Sequence, residues 1–181
     1  MKVLLLLADG FEDVEALAPR DLLIRSGVEV TTAGVLVKEV MTSHGVRLYA
    51  DVLLNDINDI SGYEALILPG GGRGTQNLLM SKKVDEIVNA FNNNKKLLCA
   101  ICAAPMVLGK NGLLEGKRFT CFHGCEKGIN GLFTAKEVEI DGNIITARSM
   151  AYSVPFGLEI ISYLLGDEIK NKIKSQIEGL N

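Results

Sequence analysis

The amino-acid sequence predicts an α/β fold, a mainly parallel sheet with helices on both faces. Three observations predict it. Residues 2–8, 65–68 and 97–101 are short, nearly continuous apolar runs, the pattern of strands buried on both faces. Stretches with helical spacing lie between such runs. Each run also stops at a turn or an abrupt change of pattern: Asp9-Gly10, Pro69-Gly-Gly-Gly and Cys102.

Taken in order, residues 2–8 form the first strand. Residues 12–26 read as a helix with Val14, Leu17, Ala18 and Leu22 on one face. Pro19 removes a backbone donor there and predicts a kink or a late helix start. Gly27 ends that helix, and VEVTTAG (28–34) is the second strand. VLVKEVMT and GVRLYAD, within 35–52, are extended pieces that form a small hairpin. ALIL (65–68) is a third buried strand, closed by PGGGRG. A helix at 84–94, a strand at 97–101, a helix at 103–110 and a strand at 118–122 follow. KEVEIDGNIITA (136–147) alternates around Asp141-Gly142, a hairpin signal. An apolar helix (156–165) and a charged one (168–177) complete the pattern. No repeat, linker or low-complexity segment intervenes, so residues 1–181 read as one domain.

Composition excludes several classes. The net charge of −3 comes with no basic stripe for nucleic acid and no acidic tail. The N-terminal apolar run is broken too early for a signal peptide, and no stretch is long enough to span a bilayer. A cytoplasmic protein with no membrane partner is expected. The four cysteines follow C-x2-C-x18-C-x3-C, close to a zinc ribbon. Cys99 lies inside the apolar strand, however, so it reads as core rather than as a ligand or half of a redox C-x-x-C. No metal and no cofactor are expected.

Cys102 is the main chemical candidate. A strand that turns sharply into a helix holds one side chain above the sheet beside backbone N–H groups, which favour a thiolate. PGGGRGTQN (69–77) lacks the Lys-Ser/Thr of a P-loop and the spacing of a dinucleotide fingerprint. Its Gly71 N–H, with that of Ala103, suits an oxyanion hole beside Cys102. ADGFEDVEAL (8–17) carries Asp9, Glu12, Asp13 and Glu15; one carboxyl buried near the cysteine would have a raised pKa and move protons, and the pattern alone does not select which. His44 and His123 are the two histidines, and His123 is better placed, at the end of FTCFHG.

Together LADGFEDVEAL, LPGGGRGTQNL, CAICAAP and ITARSMAYSVPFGLEI resemble the ThiJ/PfpI superfamily, in the branch of the Parkinsonism-associated protein deglycase. The resemblance runs from Lys2 to about Leu165. It implies a flavodoxin-like three-layer sandwich, a homodimer and a reactive cysteine at Cys102. It also implies that Glu15 is the protonated glutamate beside the sulfur, with Gly71 and Ala103 as backbone donors. The pattern departs at the histidine. Human-like members carry histidine then proline two positions after Thr120; here those places are Phe122 and His123. Both residues are expected near the site, with a Cys-His pair disfavoured.

The resemblance implies a cofactor-free enzyme acting on reactive dicarbonyls. Its substrate would be methylglyoxal or a similar aldehyde, in a glyoxalase III-like hydration, or a glycated protein, in a deglycase reaction. A second expectation from the same thiol is an oxidative-stress sensor or chaperone. A PfpI-type cysteine peptidase or amidase is a third. The glutamine amidotransferases need a downstream His-Glu pair, and the sequence has no H-x-E.

Overall fold

A short apolar strand with alternating faces seeds the fold. The structure, a computed structural model that describes residues 1–180, places β1 (Lys2–Leu7) near the middle of a seven-stranded sheet. Val3, Leu5 and Leu7 pack on one face and Leu4 and Leu6 on the other, as a period of two requires. The remaining strands are β2 (Glu29–Gly34), β3 (Glu39–Met41), β4 (Arg47–Tyr49), β5 (Val52–Leu53), β6 (Ala65–Leu68), β7 (Leu97–Ile101), β8 (Arg118–Phe119), β9 (Leu132–Phe133), β10 (Val138–Asp141) and β11 (Ile144–Ala147). The helices are α1 (Asp13–Arg25), α2 (Gly72–Met80), α3 (Lys82–Asn93), α4 (Pro105–Lys110), α5 (Ser153–Leu165) and α6 (Asp167–Ile177).

The main sheet runs β10-β11-β7-β6-β1-β2-β5. Only β10 is antiparallel to its neighbour. On one face Ala16 and Leu22 of α1, Phe156 and Ile160 of α5 and Ile173 of α6 join the core. On the other face Leu78 of α2, Phe91 of α3 and Leu108 of α4 do so. This is the expected α/β sandwich of three layers. Cys99 is fully buried in β7, facing the α1 and α5 layer, in keeping with a core role. The 35–52 segment forms the expected hairpin, β3 against β4.

Helix α1 buries a different face from the one its apolar residues suggest. Val14 and Leu17 are 42% and 39% exposed, while Glu15, Ala16, Pro19, Leu22 and Leu23 are buried. The helix starts at Asp13 and continues through Pro19, where neither a break nor a late start occurs. The cause lies in α5. A Cβ on Gly157 would sit 2.7 Å from Leu22 Cδ1 and 3.0 Å from Pro19 Cα, so α5 rests directly on Pro19 and Leu22. Residue 15 precedes Pro19 by four and shares its face, so this packing turns Glu15 inward.

Three other segments differ from expectation. The glycine-rich segment after β6 continues into α2, which the sequence pattern does not signal; its first turn closes through Thr75 N–H to Gly71 O at 2.8 Å. Helix α4 begins at Pro105 rather than Ala103, because residues 102–104 form a tight turn and proline suits the first helical position. The strand expected at 118–122 ends at Phe119. The next amide, that of Thr120, is taken by the buried Thr146 Oγ1 at 2.9 Å instead of a strand partner. The chain from Thr120 onward thereby leaves the strand and crosses to the end of β7.

Candidate active site

The C-terminal ends of β1, β6 and β7 converge, as open α/β sheets require of their functional crevice. Cys102 follows β7 with φ +63°, in the left-handed region, the strained conformation of a nucleophile elbow. Two hydrogen bonds hold it there. Its N–H donates to Ala147 O of β11 at 2.9 Å, and its carbonyl accepts the Phe122 N–H at 2.7 Å. The backbone N–H groups of Ala103 and Gly71 lie close enough to the sulfur to favour negative charge on it.

Of the four carboxylates in residues 8–17, the structure sends three elsewhere. Asp9 pairs with Arg73 at 2.9 Å and accepts the Met41 N–H at 2.9 Å. Glu12 accepts the Ser43 hydroxyl at 3.0 Å, and Asp13 meets His44 Nδ1 at 2.9 Å. Glu15 alone is fully buried. Its Oε2 accepts the Gly70 N–H at 2.9 Å, and its Oε1 has no partner among the described residues. Glu12, Asp13 and His44 also bring three ligand-type atoms within 4.8 Å of one another beside the hairpin turn.

Glu15 and Cys102 act on each other. Burial raises the Glu15 carboxyl from its ordinary 4.5 to about 7, opposed in part by the neighbouring Cys102 thiol and by the hydrogen bond from the Gly70 amide. The Cys102 thiol is pushed well above its ordinary value, first by burial and then by the neighbouring Glu15 carboxyl. The Gly71 and Ala103 amides pull it back only in part. The sequence argument for a lowered thiol pKa therefore fails for the resting pair. The amides are present as expected, but the cysteine is half-buried and faces a carboxylate.

Two glycines make this geometry fit. A Cβ on Gly70 would lie 2.6 Å from Glu15 Oε2 and 2.9 Å from Cys102 Cβ. Gly71 has φ +87°, and a Cβ there would lie 2.6 Å from Gly10 O. Gly70 is the residue that sequence reasoning missed. A glycine run longer than one turn needs, placed at a strand end, is the signal that marks it.

The structure brings Cys102, Glu15, Gly71 and Ala103 together at the elbow, and His123 directly follows Phe122, whose amide meets the Cys102 carbonyl. His123 is exposed, and its ring makes no hydrogen bond among the described residues. Nearby, Glu126 Oε2 accepts the Gly124 N–H at 2.6 Å. Phe122 reaches the elbow through its backbone amide while its side chain is 50% exposed.

A mainly parallel α/β sandwich with a cysteine on a strained elbow defines a class of cysteine-elbow proteins. Within it the chain belongs to the DJ-1/PfpI family, whose family model matches residues 1–163. It is 34% identical to the Parkinson disease protein 7 homolog of Danio rerio, over 97% of this chain and 96% of that protein. It is 39% identical to protein DJ-1 homolog B of Arabidopsis thaliana, over 92% of this chain but 39% of that longer protein. A cysteine-to-alanine mutant of a DJ-1 superfamily protein from Salmonella typhimurium superposes with a TM-score of 0.92 at 32% identity, covering 99% of this chain and 97% of that one. Oxidized Toxoplasma gondii DJ-1 superposes with a TM-score of 0.91 at 29% identity, covering 97% of each chain. No helix among the described residues is long and apolar enough to cross a membrane.

Proposed function

We propose that the chain is a cofactor-free enzyme that converts reactive dicarbonyls such as methylglyoxal to hydroxy acids, with Cys102 as nucleophile and Glu15 as proton carrier. The observation that carries this reading is the buried Glu15 carboxyl, raised to about 7 beside the elbow cysteine and left with one unpartnered oxygen. A group with that pKa gives and takes protons at neutral pH. In the first step Glu15 takes the thiol proton as the sulfur attacks the aldehyde carbon. The oxygen of that carbonyl then receives the proton, giving a hemithioacetal. Glu15 next removes the hydrogen on the former aldehyde carbon, and a proton returns to the neighbouring carbon. The product is a hydroxy-acid thioester on Cys102. Water cleaves the thioester, and the sum is dicarbonyl plus water to hydroxy acid. The Gly71 and Ala103 amides hold the charge developing next to the sulfur. Early dicarbonyl adducts on proteins present the same hemiacetal-type carbon, which gives the deglycase form of the reading.

The reading includes a homodimer. Val14 and Leu17 on the outer face of α1 and Val46 and Tyr49 of the hairpin are exposed apolar side chains suited to a partner surface. It also includes the cytoplasm, because all four cysteines are free thiols. Light scattering on the purified chain tests the dimer.

The decisive experiment follows methylglyoxal consumption and lactate formation without glutathione, beside Cys102→Ser. Lactate made by the natural sequence and lost in the variant is the expected result; equal rates would remove Cys102 from the chemistry. A second reading, a peroxide sensor, draws on the same amides and carboxyl, which suit an oxidised sulfur, and on the relative described as oxidized. Mass spectrometry after mild peroxide tests it through a gain of two oxygens on Cys102.

A further inference from the structure

Cys121 and Cys125 flank a reversal of the chain. The Cys125 N–H donates to the Phe122 carbonyl at 2.9 Å, closing a four-residue turn, and Cys121 immediately precedes that turn. Such a turn brings its ends, Phe122 and Cys125, within about 7 Å and turns the chain back toward Cys121. Both side chains enter the same apolar cluster, the one under α3 and α4. Cys121 is fully buried and Cys125 lies at the cluster's edge, partly open to solvent. Cys121 also senses Cys125. Burial first, then the charges of Cys125 and Glu126, push the Cys121 thiol up to about 12. Cys102 packs against the opposite cluster, on the α1 and α5 side of the sheet. Cys125 is the cysteine that shares the Cys121 cluster.

We propose that Cys121 and Cys125 form a second oxidisable site, a dithiol that mild peroxide closes to an intramolecular disulfide. The partly open Cys125 reacts first. Its sulfur attacks the peroxide O–O bond, which breaks; one oxygen stays as a sulfenic acid and the other leaves as water with the thiol proton. The Cys121 sulfur then displaces the sulfenic oxygen, which leaves as a second water as the S–S bond forms. Two thiols lose two hydrogens and two electrons, and one peroxide becomes two waters. The bond forms in the segment whose Phe122 amide holds the Cys102 carbonyl at 2.7 Å, which couples this site to the elbow.

The test uses the position of Arg118 and Lys127, which bracket FTCFHGCEK, a tryptic peptide holding both cysteines and no other. The natural sequence and Cys102→Ser are treated with a few equivalents of hydrogen peroxide, alkylated with iodoacetamide and digested without reductant. The expected peptide lacks two hydrogens, carries no alkyl group and regains both thiols after dithiothreitol. Adding Cys125→Ser abolishes the product. Two alkylated cysteines after peroxide, or oxygens on Cys125 with Cys121 alkylated, would overturn the proposal. The readout does not involve dicarbonyl turnover, so a chain inactive on methylglyoxal leaves it intact, and an active chain with no disulfide refutes it alone.

Discussion

Gly70 sits against Glu15 with no room for a side chain: its amide donates to Oε2 at 2.9 Å, and a methyl would fall 2.6 Å from that same oxygen. Because the methyl would also lie 2.9 Å from Cys102 Cβ, neither neighbour yields without moving the other. Gly70→Ala is expected to lower stability by about 1–3 kcal/mol through overpacking. It is also expected to change the rate at which iodoacetamide alkylates Cys102. Thermal unfolding and alkylation kinetics measure both. Unchanged values in each would mean that Glu15 and Cys102 are not held together as described.

The raised pKa of Glu15 makes stability depend on pH in a definite direction. Below about 4.5 the carboxyl is protonated in the folded and unfolded chain alike, and it contributes no pH dependence. Between 4.5 and about 7 the unfolded chain has released this proton while the folded chain retains it, so stability falls as pH rises. Above 7 the cost is complete, of order 3 kcal/mol from the size of the shift. Glu15→Gln keeps an acceptor for the Gly70 amide and removes the titration. The variant's melting temperature relative to the natural sequence is expected to rise by several degrees between pH 5 and pH 8. A difference that stays flat across that range would place the Glu15 carboxyl at an ordinary pKa.

The same group sets the expected pH profile of dicarbonyl turnover. Glu15 must be ionised to take the thiol proton, so kcat/KM rises with pH through a limb near 7. Glu15→Gln is expected to reduce turnover about 100-fold or more and to erase that limb. Retained turnover with the limb still present would assign the proton transfers to another group.

Much of this arrangement is legible in the sequence because it is local. Strand ends carry the glycines, and the elbow lies where an apolar strand meets Pro105, so β1, β6, β7 and Cys102 follow from pattern alone. The orientation of Glu15 is not local. It depends on α5 pressing Gly157 onto Pro19, a contact between residues far apart in the chain, and the exposed Val14 and Leu17 mislead any reading by apolar spacing. The protonation state of Cys102 is not local either. Helix-terminal amides are visible as a turn in sequence, whereas the burial that outweighs them exists only once the layers have packed. Helix α2 is hidden because Gly72 and Gly74 have low helix propensity, and its formation follows from the packed turn at Gly71.

His123 offers the clearest separation between this chain and a Cys-His enzyme. Its ring is exposed, while the Cys102 carbonyl receives the backbone amide of the preceding Phe122. If Glu15 carries the protons, His123→Ala removes nothing the reaction uses. Turnover and the limb near 7 are then expected to stay within about twofold of the natural sequence, because surface changes away from a site alter stability by less than about 0.5 kcal/mol. Phe122→Pro acts oppositely. It deletes the N–H that holds the Cys102 carbonyl at 2.7 Å and releases one of the two bonds that keep the elbow in its strained conformation. Turnover should fall in this variant. A large loss in His123→Ala, paired with little effect in Phe122→Pro, would reverse the assignment and point to imidazole as the base.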